Sequence, residues 1–227
     1  MKKLYIFLVS LSSFAVAADR LPVDNIAVFC ATSEKIHEDY KMAAKELGAL
    51  FEPGQTLYFG GAKVGLMGIL AEEALTKGAF AEGVAAECLL KYKDAFFDDI
   101  SLIWHPTLGI RKQYFADKSE ALIVLPGGLG TIDEFMDLLA KKQLNENNSH
   151  QLYIILVNIR GFWNHLLNHM KHASTEGFID PKHLNLFKVV NTVQEAPKAI
   201  QDSIDASANP LNVFDESHHW WLSQIKD

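Results

Sequence analysis

The chain has 227 residues, of which 49% are hydrophobic and 22% charged, and a formal net charge of −7. These values suit one globular domain with a substantial core and exclude a low-complexity or disordered chain. They argue against broad electrostatic binding to nucleic acid or an anionic membrane, and leave a small-molecule partner as the better fit.

In chain order, Lys2 and Lys3 precede an apolar run over residues 4–9, followed by Ser- and Ala-rich residues ending in Ala15-Val16-Ala17-Ala18. That is the layout of a secretory signal peptide, with cleavage near Ala17 or Ala18. The alternative is an ordinary apolar extension on a cytoplasmic protein. The run is too short for a membrane span and no other segment reaches that length, so the mature protein is expected to be soluble, without a membrane partner. The expected organisation is a signal peptide at 1–18, one domain over 19–208 and a C-terminal tail over 209–227.

Residues 25–30 read as a buried strand, and 34–51 as a helix with Ile36, Tyr40, Ala43, Ala44, Leu47 and Leu50 at helical spacing. Residues 56–59 form a second strand leading into Gly60-Gly61, and 66–77 the next helix, ended by Gly78. A weaker strand at 79–86, a clearer one at 100–104 and a helix over 108–119 follow. Residues 121–125 are a short apolar strand, and a helix begins at Thr131. A polar turn over 144–151 precedes a strand at 152–157, a helix at 161–173, a strand at 187–190 and a helix at 196–204. The tail is less regular; its His218-His219-Trp220-Trp221 reads as a packing clasp. This alternation predicts an α/β fold: a single doubly wound parallel sheet with helices on both faces, and ligands gathered at the carboxyl ends of the strands.

Cys30 and Cys88 are too few for a disulfide framework and have no metal-type spacing, so two free thiols are expected. The nine histidines show no H-E-x-x-H or comparable pattern, and no metal site is expected.

Pro126-Gly127-Gly128-Leu129-Gly130-Thr131-Ile132-Asp133-Glu134 joins a buried strand, a glycine turn that bares backbone N–H groups, and a helix start that favours an anion. A phosphate-bearing ligand follows. Neither this segment nor Gly60-Gly61 completes a G-x-G-x-x-G or G-x-x-x-x-G-K-[ST] fingerprint, which disfavours a classical dinucleotide site or NTPase. Thr131-Ile132-Asp133-Glu134 also fits a capping box, in which Glu134 bonds back to the helix start. Arg111 and Lys112 read either as a solvated helix face or as functional cations.

The nine residues match in full the P-G-G-x-G-T-x-x-E pattern of the LOG-type phosphoribohydrolases, a family also labelled lysine decarboxylase-like. The chain resembles that family further at Val28-Phe29-Cys30, at Gly60-Gly61 with Gly65-Leu66-Met67-Gly68, at Arg111-Lys112, and at Gly161-Phe162-Trp163 with Glu176-Gly177-Phe178-Ile179. The resemblance implies a Rossmann-like nucleotide-binding domain, a homodimer, and hydrolysis of the N-glycosidic bond of a nucleoside 5′-monophosphate without metal or organic cofactor. It implies Glu134 and Arg111 as the catalytic pair. Gly127, Gly128, Gly130 and Thr131 would hold the 5′-phosphate, with Gly60, Gly61 and Ser33 at the same cleft. Lys112 and Arg111 would supply cationic donors for the phosphate or for positioning Glu134.

Two turns depart from the family. Ala31-Thr32-Ser33 stands where a Gly-Ser-Ser-like turn is usual, and Gly83-Val84-Ala85-Ala86 where G-V-I-P is usual; the signal-like leader is a third departure. One rival is a nucleotide-binding or sensor protein that keeps the phosphate loop without turnover. Another, from the family's label, is a pyridoxal phosphate-dependent lysine decarboxylase, but no Schiff-base lysine site can be picked out.

Overall fold

A computed structural model describes residues 20–146 and 151–208. The expected leader at 1–18 and the tail with its Trp220-Trp221 clasp lie outside the described residues. Seven parallel strands form one sheet: β1 (Asn25–Phe29), β2 (Thr56–Phe59), β3 (Phe80–Ala86), β4 (Ser101–His105), β5 (Ala121–Val124), β6 (Tyr153–Val157) and β7 (Phe187–Val190). Their order in space is β4-β3-β2-β1-β5-β6-β7. The chain steps outward from β1 to β4, returns to the other side of β1 as β5, and steps outward again.

The central strands are apolar throughout because both faces of the sheet are covered. In β1, Ile26 and Val28 face one core while Ala27 and Phe29 face the other. The first core is closed by α1 (Glu38–Gly48), α2 (Gly65–Thr76) and α6 (Ala196–Ala208), through residues such as Leu47, Leu70 and Ile200. The second is closed by α3 (Leu108–Lys118), α4 (Leu129–Leu144) and α5 (Asn164–Thr175), through Phe115, Phe135 and Leu167. A fully buried Leu or Phe in these layers contributes roughly 1.5–3 kcal/mol each. The edge strand β4 is only half-buried along Leu102, Ile103 and Trp104.

Several boundaries differ from the sequence expectation for local reasons. Helix α1 starts at Glu38 rather than residue 34, because the His37 imidazole accepts the Asp39 N–H at 3.2 Å and fixes the first turn there. Helix α5 starts at Asn164 rather than residue 161, since Arg160 (φ 56) and Gly161 (φ 69) form a left-handed turn that a helix cannot include. Helix α4 runs to Leu144 and stops where Asn145 turns left-handed at φ 56. The crossing from β3 to β4 contains no α-helix: residues Glu87–Ala95 form 3₁₀ turns kinked at Tyr92, with no buried residue.

Where β1 ends, its turn is packed directly on the start of α2. The Leu66 N–H donates to the Ala31 carbonyl at 2.9 Å. Gly65, at φ +62, leaves so little room that a Cβ there would sit 2.4 Å from the Thr32 carbonyl carbon. We predict that Gly65→Ala destabilises the fold by about 2–4 kcal/mol, combining backbone strain with a forced shift of the turn. Chemical denaturation measures this, and an unchanged midpoint would show that the turn moves aside freely.

Candidate active site

The strand order reverses between β1 and β5, and open α/β sheets bind ligands at such a reversal, outside the carboxyl ends of the strands. Backbone bonds knit the two strand ends together there, Leu125 N–H to the Phe29 carbonyl at 2.9 Å and Ala31 N–H to the Pro126 carbonyl at 3.2 Å. Beyond them opens a cavity of about 690 Å³. Among the described residues lining it, Arg111 and Glu134 are the charged ones.

Arg111 reaches the cavity because α3 begins just before it, where the Thr107 hydroxyl caps the Ile110 N–H at 3.2 Å. Its Nε donates to the Val84 carbonyl at 2.7 Å and its Nη1 to Glu134 Oε1 at 2.6 Å. The guanidinium also lies 5.4 Å from the Phe115 ring centroid. Both partners of the pair are more than nine-tenths buried, Arg111 at 6% and Glu134 at 5% exposure. A buried pair of this kind is costly to break, because removing one partner strands the other charge out of water.

The capping-box reading of Glu134 does not hold. Helix α4 begins at Leu129 with Gly128 as its N-cap and no side-chain cap, so Thr131 is already inside the helix and Glu134 belongs to its second turn. The glycine turn starts the helix two residues earlier than the apolar periodicity suggested, and Arg111 takes up the carboxylate. Thr131 is buried beneath the turn; a Cβ on Gly127 would fall 2.1 Å from its Oγ1. The first bond of the helix ladder runs from the Ile132 N–H to the Gly128 carbonyl at 3.0 Å. The N–H groups of Leu129, Gly130 and Thr131 therefore precede the ladder, as at any helix start, and suit an anion.

Ser33, Gly60, Gly128, Gly130 and Thr131 line the same cavity as Arg111 and Glu134, so the fold brings most of the expected site residues together. Gly127, Gly61 and Lys112 do not line it. Gly127 sits behind Thr131, Gly61 packs against Gly83 and Phe96, and the Lys112 ammonium is engaged with Asp133 and Asp137. Of the two departing turns, 31–33 forms cavity wall, while Val84 supplies the carbonyl that holds Arg111. Ala85 and Ala86 are buried.

The sequence reading missed the apolar lining of the cavity contributed by Leu89, Tyr92, Phe96, Leu108 and Met67. Residues Glu87–Ala95 show neither helical nor strand periodicity. A usable signal was there: Leu89, Leu90, Tyr92, Phe96 and Phe97 are too apolar for a solvated loop between two strands.

Burial pushes the Glu134 carboxyl above the usual 4.5, and the charge and hydrogen bond of Arg111 pull it back only in part. Cys30, buried beside it as a free thiol, is pushed up by burial and by the Glu134 charge, which keeps it neutral.

A family model described as "Possible lysine decarboxylase" matches residues 67–200. A cytokinin riboside 5′-monophosphate phosphoribohydrolase of Mycobacterium tuberculosis is 33% identical over 178 residues, covering 78% of this chain and 94% of the relative. The chain belongs to this family. An Arabidopsis thaliana protein of the same name is 30% identical over 182 residues, covering 79% of this chain and 83% of its own. Among solved structures, the molybdenum cofactor carrier protein of Chlamydomonas reinhardtii superposes with a TM-score of 0.57 at 20% identity, over 82% of this chain and 99% of its own. That likeness concerns the fold alone. The family's decarboxylase label finds no support in the cavity, since no lysine lines it among the described residues and a pyridoxal phosphate aldehyde needs one.

Carboxyl ¹³C titration of the labelled protein should place the Glu134 midpoint above 4.5, and Arg111→Met should raise it further. A midpoint at or below that value would show that the arginine outweighs burial.

Proposed function

We propose that the protein hydrolyses the N-glycosidic bond of a purine nucleoside 5′-monophosphate, AMP or a cytokinin riboside monophosphate, to free base and ribose 5-phosphate. The observation that carries this reading is the buried Arg111–Glu134 pair in one cavity with the open N-terminus of α4. The names of the relatives at 30–33% identity support the same reaction.

The 5′-phosphate accepts hydrogen bonds from the backbone at Gly128, Gly130 and Thr131, where the helix end favours negative charge. This sets the ribose beside Glu134 and the base toward Leu89, Tyr92 and Phe96. Cleavage builds positive charge on the sugar, and a carboxylate in a water-poor cavity stabilises it strongly. Glu134 orients a water and accepts its proton as the oxygen adds to C1′, while the base departs with the electrons of the glycosidic bond. Arg111 keeps Glu134 ionised and aimed.

Two further expectations belong to the same proposal. The chain is exported, and it pairs with a second copy; Leu108 and Leu129 are exposed and line the cavity, and exposed apolar residues are common at contact sites. Protein recovered from the producing cell should begin after Ala17 or Ala18 and sediment as a dimer. An intact leader, or a monomer at micromolar concentration, contradicts the respective part.

Incubation with AMP should yield adenine and ribose 5-phosphate in equal amounts, whereas binding without products would favour the nucleotide-binding rival. Glu134→Gln, which leaves Arg111 an acceptor, should lower kcat by about 10²–10⁴-fold. Because the reaction needs the ionised carboxylate and its midpoint is raised, activity should fall as pH drops through a value above 4.5.

A further inference from the structure

The chain neighbours of the proposed catalytic pair form a second cross-link between the same two helices, outside the cavity. Lys112 Nζ lies 2.9 Å from Asp133 Oδ1 and 3.2 Å from Asp137 Oδ1. Asp137 is in turn held by Lys141 at 2.9 Å. The Lys112 side chain is only 11% exposed although it does not itself line the cavity. Burial alone would lower its pKa, but the hydrogen bonds to Asp133 and Asp137 hold it raised, so it stays a cation.

Helical geometry connects the two cross-links. Successive residues are turned by about 100°, so Arg111 points to the strand ends while Lys112 lies on the flank that meets α4. On α4, Asp133 and Asp137 share one stripe, four residues apart, and Glu134 begins the next. Rotating α4 to bring Glu134 away from Arg111 would pull both aspartates off Lys112. An isolated surface pair would have little hold on a helix, but a nearly buried lysine shared by two carboxylates does.

We infer that Lys112 is a positioning residue: its bridges to Asp133 and Asp137 set the rotation of α4 against α3 and thereby hold Glu134 at hydrogen-bond distance from Arg111. It does so without touching the substrate. The kinetic half of this inference rests on the proposed hydrolase reading; the geometric half does not.

The charged and titratable groups around Glu134 are Arg111 and Lys112 from α3, Cys30 from the end of β1, and Asp133 from its own helix. They make the double variant Asp133→Ala/Asp137→Ala, which leaves Lys112 no acceptor on α4, decisive. If these carboxylates acted on Glu134 only through space, removing negative charge and leaving Lys112 unpaired would lower the Glu134 midpoint. If they position α4, freeing Lys112 loosens the grip of Arg111, and the midpoint rises.

The test is the ¹³C titration of Glu134 together with AMP kinetics. The expected result is a raised midpoint in the double variant and a kcat loss of about tenfold or more at nearly constant KM, the cost of a small misplacement. Lys112→Met should behave alike, while Lys112→Arg keeps both values near those of the parent protein. A lowered or unchanged midpoint in the double variant overturns the inference. So does a Lys112→Met variant that raises KM with kcat intact, which would make Lys112 a substrate contact. If the parent protein does not turn over AMP, the hydrolase reading fails, while the direction of the titration still decides the positioning role.

Discussion

A guanidinium and a carboxylate, both withdrawn from water, face each other at 2.6 Å between α3 and α4, and the functional end of the molecule is organised around that pair. Neither ion would tolerate such burial alone. The pair therefore ties together α3, α4 and, through the Val84 carbonyl, the sheet. It also explains the two opposing demands on Glu134: the apolar surroundings that raise its pKa are those in which its charge acts most strongly, and Arg111 keeps the ionised form accessible. Loss of either charged partner would leave an unpaired ion inside the protein.

Most of the sheet was legible because its strands are short, fully apolar runs between glycine or polar turns. β5, with all four residues buried, is the clearest case. The glycine segment 126–130 was legible as an anion turn for the same local reasons. The start of α4 was not, since Leu129 is apolar yet 86% exposed, and apolar periodicity therefore pointed to the wrong first turn. Arg111 was legible as the larger contributor of the basic pair, because its planar fork suits a phosphate or carboxylate, but both were expected at the cleft. What separates them is rotation about the helix axis relative to α4, a tertiary quantity that no local pattern encodes.

The cavity lining draws on both regular elements and an irregular crossing. Arg111, Thr131 and Glu134 stand on helices, which suits atoms that must be held within fractions of an ångström. Leu89, Tyr92 and Phe96 come from the crossing between β3 and β4, while Met67 and Leu108 stand on α2 and α3. That crossing is pinned at its far side, where the Lys63 N–H meets the Ala95 carbonyl at 2.8 Å and the Phe97 N–H meets the Gly61 carbonyl at 3.1 Å.

None of the residues Glu87–Ala95 is buried, so this wall contributes little to the two cores that hold the fold together. Exposed side chains of this crossing such as Tyr92 can be exchanged at small thermodynamic cost, whereas an exchange at buried Phe96, Arg111, Glu134 or Gly127 disturbs packing or leaves a charge stranded. Sequence drift along the exposed part of this crossing therefore leaves the buried Arg111–Glu134 pair and the two cores beneath it as they are.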